Sequence, residues 1–213
     1  MGLYNMHCHL LPGIDDGRVA PDQLGKVLGL YKECGFAGVV FTPHLFNPYL
    51  TTNIAAIRPT WMVAMEVAHK VGIEVLLGSE LFCGTQETLQ GIPFAGRYQL
   101  VEFPTVMPPK QWEQKLAVLA RSITPIIAHV ERYRWMTPTS EAFLKLKDLH
   151  CLIQCNVDGI ENTRALPYLK AGVVDVIADD NHMRPGNETL PSRLIEHISA
   201  WPEVALKMER MFA

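Results

Sequence analysis

Nowhere in the 213 residues do about 18 apolar side chains run together, so no membrane-spanning helix is expected. The start, Met1-Gly2-Leu3-Tyr4-Asn5-Met6, has no cationic stretch ahead of its apolar residues, and a myristoylation signal would want Ser or Thr where Met6 stands. Charge of either sign is scarce: 19 basic against 22 acidic side chains give −3, with no basic run. A dedicated nucleic-acid partner is therefore disfavoured, and no segment pairs low hydrophobicity with a charge run, so long disorder is not expected. Cysteines number five, an odd count with no Cys-x-x-Cys, which suits reduced thiols and a cytoplasmic location. Several hydrolytic and phosphate-binding signatures are missing too. No Cys has Arg at the sixth position after it, and Gly-x-x-x-x-Gly-Lys-Ser/Thr, Gly-x-Gly-x-x-Gly and Gly-x-Ser-x-Gly do not occur. Metal-activated water is the hydrolytic chemistry left.

What the chain has is alternation. Short β-branched runs, at Leu3–Cys8, Gly38–Phe41, Glu74–Leu77, Gln99–Glu102, Pro125–Ala128, Cys151–Cys155 and Asp175–Ala178, are each bounded by Gly, Pro or polar residues. Between them, apolar spacings of three and four predict helices near Pro21–Cys34, Asn53–Val71, Lys110–Arg121, Thr139–Leu149, Thr163–Ala171 and Glu188–Ala200. In the first, Leu24, Val27, Leu28 and Tyr31 form one stripe, with Gly35 as a stop. No repeat or linker interrupts the series, and 48% hydrophobic residues suffice for one core, so residues 1–213 read as a single α/β domain, a β/α barrel or a barrel-like fold. In such folds chemistry gathers in the loops after the C-terminal ends of the strands.

The eight histidines divide by position. His7, His9, His44, His129 and His182 lie at strand ends, whereas His69, His150 and His197 fall in helical segments and read as surface residues. Carboxylates join the first group: Asp15 and Asp16 after the first strand, Glu80 after the third, Glu102 ending the fourth, Asp179 and Asp180 after the seventh. Strand side chains alternate, so His7 and His9 share a face while Cys8 points away, and the same period pairs Asp180 with His182. One buried His-x-His is as readily structural as metal-binding. So many acids converging on one barrel mouth need cations, because each ionised carboxylate taken from water must be paired. A multinuclear site follows, and Zn²⁺, Mn²⁺ and Fe²⁺ all accept such ligands. Met62, Met65 and Leu76 read as core, and Cys151 and Cys155 as inert buried thiols.

His7-Cys8-His9-Leu10-Leu11-Pro12-Gly13-Ile14-Asp15-Asp16-Gly17 resembles the opening motif of the polymerase-and-histidinol-phosphatase (PHP) family, specifically its capsule-type bacterial tyrosine phosphatases. Thr42-Pro43-His44, Gly78-Ser79-Glu80, Val101-Glu102-Phe103, Ile127-Ala128-His129-Val130-Glu131-Arg132-Tyr133 and Ile177-Ala178-Asp179-Asp180-Asn181-His182 look like its later motifs in order. The resemblance implies a distorted seven-stranded TIM-like (β/α)7 barrel of PHP type with three divalent ions, Mn or Fe first and Zn as a third choice. It implies His7, His9, Glu80 and Asp180 around one ion, Glu80, Glu102 and His129 around a second, and Asp16, His44 and His182 around the third. Asp15 reads equally as a turn residue before Gly17 or as a direct participant.

Arg132, three residues after His129, matches the family's phosphate-binding arginine, with a rim salt bridge to Glu131 or a neighbour as the plainer reading. Arg184 is a second candidate. Phe46, Tyr49, Phe82, Tyr133 and Trp135 form either a wall for an aryl phosphate or packed loop cores. The segment Gln154-Cys155-Asn156-Val157-Asp158-Gly159 departs from the family pattern. Clustered divalent ions would lower the pKa of a bridging water and place the resulting hydroxide in line with phosphorus. The leading expectation is a protein-tyrosine phosphatase acting on a phosphotyrosine-containing protein tail, with a tyrosine kinase as partner. The alternatives are a small-molecule phosphatase of the histidinol phosphate or nucleotide type, metal-dependent amide hydrolysis on an eight-stranded barrel, and a non-catalytic metal-stabilised interaction module.

Overall fold

Runs that are apolar on both faces belong in the middle of a layered α/β structure, since crossover helices cover both sides of a parallel sheet. The structure, a computed structural model, describes residues 2–212; Met1, which heads the start read above, and Ala213 lie outside the described residues. Its strands are β1 (Tyr4–Cys8), β2 (Gly38–Phe41), β3 (His44–Leu45), β4 (Glu74–Leu77), β5 (Glu80–Phe82), β6 (Tyr98–Glu102), β7 (Thr124–Ile127), β8 (Leu152–Asn156) and β9 (Val176–Ala178). Its α-helices are α1 (Leu24–Glu33), α2 (Ile54–Val71), α3 (Trp112–Leu119), α4 (Glu141–Asp148), α5 (Val157–Glu161), α6 (Leu166–Lys170), α7 (Leu190–Ala200) and α8 (Pro202–Met211).

Every pairing between these strands is parallel, in two sheets ordered β1-β2-β4 and β3-β5-β6-β7-β8-β9. All seven expected strands are present. β3 and β5 prolong the paths of β2 and β4 after interruptions at Thr42-Pro43 and Gly78-Ser79, and Pro43 has no N–H to extend a ladder. Backbone bonds nevertheless carry the register across: Gly78 donates to the Phe41 carbonyl at 2.8 Å and Glu80 to that of Pro43 at 3.0 Å. At the other edge, Cys8 bridges Asn181, and the His9 N–H reaches the Asn181 carbonyl at 2.8 Å. The two segments that open and close the strand series therefore meet where the histidines lie.

The predicted α1 stripe of Leu24, Val27, Leu28 and Tyr31 is buried as a unit. On α2, Asn53 caps the start by accepting from the Ala56 N–H, and Gly72 ends the helix with a φ of 77° that a larger residue would resist. α2 turns Ile57, Ala64 and Ala68 inward, while Met62, read as core from spacing alone, is exposed. Two helices were not foreseen. α5 has five residues, too few to show a period, and α8 lies in the stretch after Trp201, where Pro202 at its first position and buried Val204, Met208 and Met211 supply the helical signal. No described helix is long and apolar enough to cross a membrane.

Candidate metal centre

Alternation along β1 puts His7 and His9 on one face with their Nε2 atoms 3.3 Å apart, while Cys8 turns away and bonds the Val40 carbonyl. In three of the imidazoles the other nitrogen is anchored. His7 Nδ1 lies 3.2 Å from Gln154 Oε1, His9 Nδ1 2.7 Å from Asp15 Oδ2, and His182 Nδ1 2.8 Å from the Asp180 carbonyl. An acceptor at Nδ1 holds the proton there and leaves the Nε2 lone pair free, the arrangement metal-binding histidines use. Asp15 is the turn residue and acts on the cluster through its neighbours. It makes the turn bond to the Gly17 N–H, orients His9, and accepts the His44 N–H at 3.0 Å. Gly17 is obligatory, because a Cβ there would lie 2.0 Å from the His9 carbonyl oxygen.

Four donor atoms converge: His7 Nε2, His9 Nε2, Glu80 Oε2 and Asp180 Oδ1. Five of their six separations are 3.2, 3.2, 3.3, 3.3 and 3.4 Å. Donors bound at about 2.0–2.1 Å to one ion lie about 3.3–3.4 Å from one another, so His7, His9 and Asp180, whose donor atoms group together, fit a dication, with Glu80 within the same distance of both histidines. Glu80 Oε2, Asp180 Oδ1, Asp16 Oδ1 and His44 Nδ1 are buried and receive no hydrogen bond, although each faces a neighbour of the cluster. Lone pairs aimed at one another in the interior are stable only with a cation or protons between them.

The remaining expected residues sit around this quartet. His129 Nε2 is 2.8 Å from Glu80 Oε1 and 3.8 Å from Glu102 Oε2. His182 Nε2 is 3.1 Å from Asp16 Oδ1. His44 stands between the groups: its Nδ1 is 3.0 Å from Glu80 and 3.3 Å from Glu102, and its Nε2 is 3.6 Å from Asp16. All nine are thus brought to one place, at the end of the strands where β/α folds keep their chemistry. His129 and Asp180 hold left-handed backbones, with φ of 32° and 49°, which cost about 1–3 kcal/mol each and persist where surroundings over-determine them.

Burial alone would strip protons from these imidazoles, but neighbouring carboxylates outweigh it. His9 is raised well above the ordinary imidazole value by its bond and charge with Asp15 and by Asp180 and Glu80, and His44 is raised to about 10 chiefly by Glu80. Burial pushes the Glu80 and Asp180 carboxyls up, and His7 with its neighbours more than reverses this, so both lie far below the usual range. Protons here occupy the place a cation would take, and metal binding must displace them. His129 is the exception, lowered by burial and by the Arg132 charge.

Two arginines hold the outer oxygens of carboxylates whose inner oxygens face the cluster. Arg132 donates to Asp180 Oδ2 at 2.6 Å, and Arg184 to Asp16 Oδ2 at 3.2 Å. The salt bridge of the plainer reading of Arg132, to Glu131 or a neighbour, is present, and its partner is Asp180. Both line a cavity of about 500 Å³ beside Asp16, His44, Glu102 and His182. The proposed aromatic wall divides. Phe46, Tyr49 and Phe82 border a neighbouring cavity, whereas Tyr133 and Trp135 pack with Phe103 and Trp112 as loop core. Of the helical histidines, His69 and His150 are exposed and His197 pairs with Glu161. All five cysteines are free, and four are buried.

Sequence reasoning missed the supporting shell. Gln154, in the segment set aside as departing, accepts from both the His7 ring and the His129 N–H (2.8 Å) and donates to Asn156 at 2.6 Å; Asn156 then donates to Asp180 Oδ2 at 3.0 Å. Asn47 donates to Glu102 Oε1 at 2.7 Å. The available signal was the alternation of Gln154 and Asn156 on one face of a strand.

This geometry agrees with what known proteins share with the chain. A family model described as capsular polysaccharide synthesis, CpsB/CapC, matches residues 3–191. The tyrosine-protein phosphatase CpsB of Streptococcus pneumoniae is 25% identical over 202 residues, covering 84% of this chain and 83% of that protein. YwqE of Bacillus subtilis, also named a tyrosine-protein phosphatase, is 27% identical over 197 residues, covering 84% and 77%. Among solved structures, one described with YwqE from B. subtilis and CpsB from S. pneumoniae as unique metal-dependent tyrosine phosphatases superposes with a TM-score of 0.74 at 21% identity, covering 99% of this chain and 87% of that one. The match runs from the first strand through the last ligand motif, so the chain belongs to the CpsB/CapC capsular polysaccharide synthesis family.

Proposed function

We propose that this chain is a metal-dependent phosphomonoesterase acting on phosphotyrosine in polypeptides. The observation that carries the reading is the set of inward, unbonded oxygens of Glu80, Asp180 and Asp16 facing the Nε2 atoms of His7, His9 and His182. The names of the CpsB and YwqE relatives support the substrate class. His7, His9, Glu80 and Asp180 would hold one ion, Glu80, Glu102 and His129 a second, and Asp16, His44 and His182 a third, with manganese or iron preferred and zinc acceptable. Bound divalent ions supply an activated water and charge neutralisation for phosphoryl transfer. On this reading residues 1–213 are one domain, and its two parallel sheets, which meet at the Cys8–Asn181 bridge, are parts of a distorted seven-stranded barrel, a reading that the parallel strand order supports.

The chain's own residues bind and orient. Arg132 commits one of its five N–H donors to Asp180, which fixes the guanidinium at the cavity wall and leaves donors for two phosphate oxygens. Arg184 has the same relation to Asp16 and is 57% exposed, open to an incoming anion. A phosphorylated tail of a tyrosine kinase, in the cytoplasm, is the substrate this reading favours.

The test is a chelator-stripped protein reloaded with Mn²⁺, Fe²⁺ or Zn²⁺, with metal content measured and turnover compared on phosphotyrosine peptide, histidinol phosphate and nucleotide monophosphates. Peptide turnover that depends on metal and vanishes in His129→Ala with the fold intact is expected. Turnover of histidinol phosphate alone would replace this reading with a small-molecule one.

A further inference from the structure

Beside the metal centre lies a second cavity of about 640 Å³ lined from the ends of β3, β5 and β6. Neighbouring residues divide between the two spaces. Asn47 and Glu102 line the first, while Phe46, Pro48, Phe82 and Pro104 line the second. Along Phe46-Asn47-Pro48 the two spaces are thus bordered by alternate residues. The Tyr49 ring meets that of Phe82 edge-on at 6.3 Å and is 81% exposed, so it forms an open lip and not a packed core. Between Pro104 and Pro109, both lining residues, Val106 and Met107 are 64% and 66% exposed.

Charge decides what fits this space. Its lining contains Lys110 and Lys115 and no acidic residue. Lys115 is only 9% exposed, and its Nζ donates to the Gly84 carbonyl at 2.7 Å. No carboxylate lies within ion-pair distance of it among the described residues. An ammonium so enclosed ordinarily has an anionic partner, and two of its three donors are free to meet one. The combination of aromatic and prolyl walls with an uncompensated cation suits an acidic side chain carried next to an apolar one.

We propose that this cavity binds the polypeptide flank of the phosphotyrosine substrate and selects sequences with a carboxylate close to the phosphorylated residue, received by Lys115 and Lys110, with apolar neighbours against Phe46, Tyr49 and Phe82. The inference rests on the phosphotyrosine reading and deepens it. Because adjacent residues border the two cavities at Phe46-Asn47-Pro48, a peptide whose phosphate lies in the first has flanking residues that can reach the second. A free aryl phosphate has nothing to place there.

The test compares Mn²⁺-loaded wild type with Lys115→Met, Lys110→Glu and Tyr49→Ala on p-nitrophenyl phosphate and on phosphotyrosine peptides in which a Glu, or a Gln in its place, is moved along both flanks. Loss of one charge-assisted hydrogen bond corresponds to about tenfold in binding. At the best flank position, Glu should exceed Gln by about tenfold in kcat/KM for wild type. That preference should disappear in Lys115→Met and Lys110→Glu through KM, with p-nitrophenyl phosphate turnover unaltered. Lys110 and Tyr49 are exposed, so their variants keep the test valid if Lys115→Met does not fold. Equal turnover of Glu and Gln peptides at every position overturns the inference while leaving phosphotyrosine hydrolysis standing. Failure to hydrolyse any phosphotyrosine peptide, with other phosphomonoesters turned over, overturns both.

Discussion

Replacing Gln154 by Leu removes the residue that joins three parts of the metal centre while filling a similar volume. Its Oε1 accepts from the His129 N–H at 2.8 Å and faces His7 Nδ1 at 3.2 Å, and its Nε2 donates to Asn156 at 2.6 Å. Leucine leaves those three buried partners unpaired, at about 1–3 kcal/mol each, so the metal-free protein should lose at least about 3 kcal/mol. His7 also loses the contact that selects its tautomer, and removal of such an outer partner typically costs 10- to 100-fold in metal affinity, about 1.4–2.8 kcal/mol. Urea unfolding in EDTA reports the first loss. The extra stability gained in excess Mn²⁺, with calorimetric titration, reports the second. Gln154→Glu keeps the acceptor for His7 and His129 and should retain more of the affinity. A Mn²⁺ dissociation constant in Gln154→Leu within twofold of wild type would refute the orienting role.

Gly17→Ala should lower both the unfolding midpoint and Mn²⁺ affinity, because its Cβ would collide with the His9 carbonyl and displace the Asp15-Asp16 turn; an unchanged melting curve would contradict this. Glu131→Gln should stabilise the protein in a pH-dependent way. Burial raises the Glu131 pKa from 4.5 to about 7, with Oε2 enclosed and unpartnered, so the folded state binds a proton more tightly than the unfolded state. Stability is then lost as pH rises from about 4.5 through about 7, and the variant should gain about 3 kcal/mol above that range and little below it, read from urea curves at about pH 4 and pH 8. Iodoacetamide at about pH 8 should modify Cys34 alone and slowly, since burial lifts the Cys83 thiol to about 11 and that of Cys151 to about 12; mass spectrometry showing rapid labelling at either would reject the buried-thiol reading.

The candidate ligands were legible because metal chemistry restricts both residue type and position. His7 and His9 are two apart on a strand, and Asp16, His44, Glu80, Glu102, His129, Asp180 and His182 follow strand ends, so a β/α reading sufficed to bring them together. Gln154, Asn156 and Asn47 were not legible, since an amide serves equally in a core, a turn or a surface, and only their three-dimensional partners distinguish those uses. The splitting of two strands into β2/β3 and β4/β5 escaped notice because Pro43 and Ser79 interrupt the ladder without redirecting the chain. The burial of Tyr133 against Phe103, in contrast to the openness of Tyr49, depends on which loop folds over which, and aromatic composition alone carries no record of that.

The net charge of the chain has a location. Of its 22 acidic and 19 basic side chains, five acids (Asp15, Asp16, Glu80, Glu102 and Asp180) and two arginines (Arg132 and Arg184) lie at the centre. These seven carry −3 between them, as much as the chain as a whole, and the cavity beside them is lined also by Asp158, Asp179 and Arg193. Protons drawn onto His9 and His44 offset that excess when no cation is present. Two divalent ions would turn −3 into +1 and a third would raise it further. A pocket lined by carboxylates thereby becomes attractive to a phosphate dianion only when loaded, and the arginines on its rim add to that field instead of having to create it. Recognition of an anion by a mildly acidic protein then needs no basic surface, so the scarcity of positive charge in the sequence does not argue against a phosphate ester.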